Sequence, residues 1–262
     1  MGEWITTEGD DLYFEVRGSG PPLLMISGGQ GDAGFYTYPA ELLADEYQVI
    51  TYDRRGNSRS SRNVTDFSVA QQARDAVAVL KAAGHEKAVV FGNSGGAIIA
   101  LELAARFPEV VTGVIAHEPP LLAVEPDRKS LAMFRRIGLT ARILGAKAGM
   151  AAFALSVGIP AAAYRSVPAD FTERTAENQA FFVRHEMQAF VNHVPDLAAL
   201  RTPVVMAVGE HTRAANLYYA RPAALLAERL RVPLVVFPGH HISYFDQPVE
   251  WTATLRETLR SL

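Results

Sequence analysis

The chain is expected to be an α/β protein: a mostly parallel sheet, helices on both faces and a late helical insertion. Three observations predict this. Strand-like and helix-like segments alternate along most of the 262 residues, the order that builds parallel sheets. Several strand segments, such as "PPLLMIS", "KAVVFG" and "TPVVMAVG", are short and continuously apolar, as strands covered on both faces must be. Between about Leu121 and Leu200 the alternation stops, and helical patterns follow with no convincing strand. That interval is too long for a plain connection.

The elements follow in order. "LYFEVRG" alternates apolar and polar residues, the mark of a half-buried strand. "PPLLMIS" is a central strand, "YPAELLADE" a helix and "YQVITYD" a strand. "SVAQQARDAVAVLKAAG" is an amphipathic helix that Ser68 starts and Gly84 ends. "KAVVFG" is a strand, "GGAIIALELAARFP" a helix and "VTGVIAH" a strand. In the interval, "SLAMFRRIGLTARIL" and "ENQAFFVRHEMQAFVNHV" read as helices. "TPVVMAVG", "YYARPAALLAERL", "VPLVVFPG" and "PVEWTATLRETL" close the chain as strand, helix, strand and helix. The expected division is a core of 1–120 with 201–262, and a helical cap of 121–200.

Composition narrows the function classes. Hydrophobic residues make up 49% and charged residues 20%, an ordinary globular balance. A net charge of −3 gives no reason to expect nucleic acid or an anionic membrane as a partner. The absence of cysteine excludes disulfides, thiolate catalysis and cysteine-bound zinc. The polar, acidic start is unlike a secretory leader, and no apolar stretch is long enough to span a membrane. The expectation is a soluble, cytoplasmic protein acting on a small molecule, with its oligomeric state left open.

The strongest local signal is "VVFGNSGGAIIALELA". An apolar strand runs into Gly92-Asn93-Ser94-Gly95-Gly96 and a helix starts at once, which is G-x-S-x-G in strand–turn–helix context. Such a turn strains the serine backbone, and small residues at Gly92 and Gly96 let strand and helix approach. The bland alternative is a glycine-rich turn with an incidental serine. A serine needs a base, and "VVFPGHHISYFDQP" offers His240 and His241 just after a strand end.

These segments, with "ISGGQGD" and "YDRRGNSRSS", resemble the α/β-hydrolase superfamily from about Leu12 to the C-terminus. The resemblance implies the α/β-hydrolase fold, with the helical interval in the place of that superfamily's cap. It implies Ser94 as nucleophile and, from the alignment of Pro238-Gly239-His240-His241, His241 as the base. It implies oxyanion donors at the backbone of Gly95 and in Ser27-Gly28-Gly29-Gln30-Gly31, with Gly29 the first choice and Gln30 the second. The family's usual histidine is missing from that loop, but backbone N–H groups carry the function. In "YDRRGNSRSS", Asp53 with Arg54 or Arg55 reads as a loop-stabilising network without chemistry.

The usual acid of the family is missing. In "VVMAVGEHTRAAN" its position holds Thr212. Two carboxylates remain: Glu210, two residues earlier, and Glu118 in "VTGVIAHEPPLL". Glu118 follows a strand expected to lie beside the nucleophile strand, and Pro119 and Pro120 stiffen its loop. Glu118 is therefore the expected triad acid, with Glu210, or no acid at all, as the alternatives. His117 reads as an ordinary packed histidine.

No metal and no cofactor are expected. His117-Glu118 and His240-His241 are adjacent pairs that diverge on extended backbone, and the glycine-rich stretches lack a phosphate-loop lysine. The expected substrate pocket is moderately apolar, with Met133, Phe134, Phe153, Tyr164, Phe181, Phe182, Met187 and Phe190 as candidate lining. The expected function is cofactor-independent serine hydrolysis of an ester, lactone or similar acyl bond. A lyase, dehydratase or C–C bond-cleaving enzyme on the same fold, or a slow binding protein, stand as alternatives.

Overall fold

A computed structural model describes residues 2–64, 66–124 and 127–262. Eight strands form one sheet in the order β1-β2-β4-β3-β5-β6-β7-β8. They are β1 (Gly2–Thr7), β2 (Asp10–Arg17), β3 (Pro22–Ile26), β4 (Gln48–Tyr52), β5 (Ala88–Asn93), β6 (Val111–His117), β7 (Val204–Gly209) and β8 (Leu234–Phe237). β1–β2 and β2–β4 pair antiparallel, and the remaining pairs are parallel. The fold is the expected one. β1 goes beyond the sequence expectation, because "GEWITT" is mostly exposed and lacks a clean apolar face.

The period-2 alternation of the strands divides the core. Leu24, Ile26 and Val90 face one side, with α2 (Val69–Ala82) and α3 (Gly95–Arg106); Leu23, Met25 and Phe91 face the other, with α1 (Thr37–Leu43) and α11 (Pro248–Arg260). Ser68 caps α2 by accepting from the Gln71 N–H, as its place before the helical pattern predicts.

Between β6 and β7 lie α4 (Arg128–Leu144), α5 (Ala146–Val157), α6 (Ala169–Ala176), α7 (Asn178–Phe181), a π-helical turn (Phe182–Glu186) and α8 (Met187–Asn192). These helices fall within the interval 121–200, of which residues 125 and 126 lie outside the described residues. Asp127 caps α4 through the N–H groups of Lys129 and Ser130. α9 (Glu210–Ala214) and α10 (Ala220–Leu230) follow β7. The helix expected over "ENQAFFVRHEMQAFVNHV" runs without interruption from Asn178 to Asn192, but a π turn sits in its middle, between α7 and α8. The π turn carries Glu186, whose fully buried carboxylate pairs with the fully buried Arg54 at 2.8 Å. A second ion pair joins Arg174 of α6 to Asp32 at 2.6 Å.

Candidate active site

Ser94 stands at the tip of β5 with φ 57° and ψ −124°, far from the usual wells of a side-chain-bearing residue. The turn is tight enough to exclude larger neighbours. A Cβ on Gly92 would come within 2.2 Å of the Gly96 carbonyl oxygen, and one on Gly96 within 2.0 Å of the Ile26 carbonyl oxygen. The Ser94 N–H donates to the His117 carbonyl at 2.9 Å, tying the turn to the neighbouring strand. α3 starts at Gly95, so its positive end lies directly under the serine.

The parallel register pairs Asn93 with His117, which brings Glu118 beside the serine turn. Glu118 is fully buried and has φ 52°. That left-handed conformation is uncommon for a non-glycine residue, and here Pro119 and Pro120 follow it. The Glu118 N–H donates to the Ala207 carbonyl at 2.9 Å. One carboxylate oxygen, Oε1, accepts from the Gly209 N–H at 2.8 Å and from the Thr212 hydroxyl. The other, Oε2, lies 2.5 Å from Nδ1 of His241. Burial alone pushes this carboxyl up; His117, His241 and the Thr212 hydroxyl outweigh it and hold the group at about 2. Glu118 is an anion at neutral pH.

Thr212, the position that the sequence resemblance assigns to the family's acid, donates a hydrogen bond to the Glu118 carboxylate instead. Glu210, the alternative acid, is exposed at the start of α9. His240 is engaged elsewhere: its Nε2 lies 3.1 Å from Asp246, and its Nδ1 accepts from the Ile242 N–H at 3.3 Å. His117 is fully buried. Its Nδ1 accepts from the Asn93 amide at 2.8 Å, and burial lowers its pKa to about 4. It is the packed histidine expected, and burial keeps it neutral.

Ser94 and His241 open onto the same cavity of about 450 Å³, which Gly28, Gly29 and Gln30 also line. No hydrogen bond joins the Ser94 hydroxyl to the imidazole among the described residues; such contacts commonly tighten when substrate is bound. The Tyr219 ring covers His241 at 4.3 Å between centroids.

The loop over Ser94 is anchored almost atom by atom. Arg54 donates to the carbonyls of Ser27 and Gly28 at 3.0 and 2.6 Å. Asn178 donates to the Gln30 carbonyl at 2.7 Å, and the Gln30 N–H donates to Glu186 at 3.2 Å. Gln30, the second-choice oxyanion donor, therefore has its N–H committed. The N–H groups of Gly29 and Gly95 have no acceptor among the described residues. Arg54 does stabilise a loop, as expected, but its partners are the 27–31 backbone, Gln72 and Glu186; Asp53 pairs with Arg59.

Of the expected lining, Phe153, Tyr164 and Phe182 face the large cavity. Phe134, Met187 and Phe190, again with Phe153 and Phe182, line a second space of about 30 Å³ that also borders Ser94. Phe181 packs instead against His185 and Phe67, and Met133 packs among the inserted helices. Sequence reasoning missed Phe35, Ile242, Tyr244 and Phe245 in the large cavity, and Tyr218 and Tyr219 in the small one. The two tyrosines adjoin the helical segment after β7, and Ile242, Tyr244 and Phe245 directly follow His241; position along the chain was the signal in both cases.

Among the described residues, no group of three or more histidine or acidic side chains is arranged to hold a metal ion. No described helix is long and apolar enough to cross a membrane.

Residues 21–140 match the family model described as alpha/beta hydrolase fold. The uncharacterized hydrolase YraK of Bacillus subtilis is 32% identical over 97% of this chain and 94% of its own length. The zearalenone hydrolase of Cladophialophora bantiana is 26% identical over 98% of this chain and 95% of its own. A thermophilic esterase from Thermogutta terrifontis superposes with a TM-score of 0.76 at 23% identity, covering 100% of this chain and 98% of that one. That similarity speaks for the fold. With a relative this similar along nearly its whole length, the chain belongs to the α/β-hydrolase family and is a hydrolase of that family.

Proposed function

We propose that the protein is a cofactor-independent serine hydrolase that cleaves an ester, lactone or similar acyl bond in a small, moderately apolar molecule. The observation that carries this reading is the buried Glu118–His241 contact of 2.5 Å, set on the same cavity as a strained serine. Helices α4 to α8 act as the cap that shapes this cavity. The relatives named hydrolases support hydrolysis but leave the bond open.

In this reaction Ser94 Oγ attacks the carbonyl carbon while His241 Nε2 takes its proton. Glu118 accepts the Nδ1–H bond, which fixes the tautomer and stabilises the imidazolium. The N–H groups of Gly29 and Gly95 receive the oxyanion. Collapse of the intermediate breaks the bond to the leaving oxygen, which takes the proton from His241. A water, deprotonated by the same imidazole, then releases the acid and restores Ser94.

A fluorophosphonate probe tests the nucleophile. Wild type should label at Ser94 and Ser94→Ala should not, and the variant should lose turnover across a panel of esters and lactones. Equal turnover by both proteins would overturn the covalent mechanism.

A further inference from the structure

The α4–α5 hairpin has a charge unlike the rest of the molecule. From 128 to 157 it carries Arg128, Lys129, Arg135, Arg136, Arg142 and Lys147 and no aspartate or glutamate, in a chain whose net charge is −3. None of these six side chains takes part in an ion pair among the described residues, and all are exposed. The same hairpin holds most of the large, strongly exposed aliphatic side chains of the described residues: Leu139 at 55%, Ile143 at 69%, Leu144 at 72% and Leu155 at 88% exposure. On α4, Arg135, Arg136, Leu139 and Ile143 fall on one stripe by helical spacing, opposite the buried Phe134, Ile137 and Ala141. On α5, Lys147, Ala151 and Ala154 are both exposed and part of the cavity wall, so this face borders the mouth of the cavity.

We infer that the α4–α5 hairpin docks on an anionic lipid surface, with its leucines and isoleucine in the interface and its arginines and lysines on the headgroups. Exposed cations beside large exposed apolar side chains supply the two attractions that hold a protein on a membrane surface: buried apolar area, and charge against anionic headgroups. A second copy of this chain fits the surface poorly. A two-fold contact would set one unpaired basic face against another. A purely polyanionic partner such as nucleic acid would leave the exposed leucines in water. Attachment at this face brings the cavity mouth toward the medium in which apolar esters concentrate. The inference does not depend on Ser94 being the nucleophile.

Co-sedimentation of the whole protein with vesicles provides the test. Phosphatidylcholine vesicles with about a third phosphatidylglycerol should bind it at low salt, and pure phosphatidylcholine should bind it far less. Raising salt to about 0.5 M should release most of it. Each basic residue at such a surface is worth roughly fivefold, so Arg135→Glu with Arg136→Glu should weaken binding by at least about tenfold. The charge-neutral pair Leu139→Gln with Ile143→Gln should weaken it as well. Both variants should keep the melting temperature and the turnover of a water-soluble ester, since none of these residues lines the cavity. Equal binding to both vesicle types, binding to neither, or a dimer in solution that these variants dissociate would each overturn the proposal.

Discussion

Glu118 shows how one residue's placement follows from several weak constraints. The sequence already showed an acid after a strand, two prolines behind it and a threonine where the family's acid would stand. It did not show that Thr212 reaches the same carboxylate, because that contact spans β6 and α9. Glu118→Gln should keep the fold and lower turnover by about a hundredfold to ten-thousandfold, since the amide loses the charge and favours the wrong tautomer. Glu210→Gln, on an exposed side chain, should stay near wild type; steady-state kinetics on the two variants read the difference, and the reverse ranking would sink the assignment. Thr212→Asp in the wild-type background should destabilise the site, because it sets a second carboxylate against Oε1 of the first. His117 adds a pH dependence. Its pKa falls from an ordinary 6.5 to about 4 on burial, so the unfolded chain binds more protons between those values. Stability should fall as pH drops through that window, by up to about 3 kcal/mol at the acid end. The Glu118 carboxylate, held at about 2 against an ordinary 4.5, adds its own loss only below that ordinary value. Urea titrations from neutral pH down to about pH 4 should show the slope, and His117→Gln should flatten its upper part.

Among the elements, those with an apolar period were legible and those stabilised by contacts distant in sequence were not. β3, β5, β6 and β7 announced themselves as apolar runs, whereas β1 exists because its backbone pairs with β2. The π turn was invisible for a related reason. Its Glu186 sits in a helical pattern like any surface glutamate, and only the fold brings Arg54, Asn57 and the Gln30 N–H to it. This carboxylate holds the inserted helices and the Gly29 loop in one arrangement. Glu186→Gln removes the partner of a buried guanidinium and should cost about 3–5 kcal/mol, read as a fall in melting temperature. Its larger consequence should be in kcat, with KM changed less, because a loosened Gly29 N–H misses an oxyanion that exists only after attack. A pure stability loss with kcat intact at low temperature would show that the loop needs no such anchor.

At the scale of the whole molecule, the sequence pointed to the residues of the candidate site but not to its shape. Ser94, His241 and Glu118 each lay beside a recognisable strand end, so parallel strands of one sheet had to gather them. The spaces around them arise where the inserted helices meet the core, and no local pattern encodes that fit. The charge of the hairpin was also hidden, since a net value of −3 averages it away. The shape has a consequence for substrates. Phe153 and Phe182 touch edge to face at 4.8 Å and line both spaces that border Ser94, one of about 450 Å³ and one of about 30 Å³. The smaller space, which Pro120, Phe134, Met187 and Phe190 close, has room for little more than a methyl group. The groups on either side of a scissile ester must then differ greatly in size. Two ladders of substrates read this: one bulky acid with alcohols from methyl to hexyl, and one bulky alcohol with acids from acetyl to hexanoyl. One ladder should be shallow. The other should fall steeply, by about 10- to 200-fold for a methylene that finds no room. Met187→Ala should flatten the steep ladder while leaving the shallow one in place. Two shallow ladders in the wild type would mean that the aromatic partition yields to substrate.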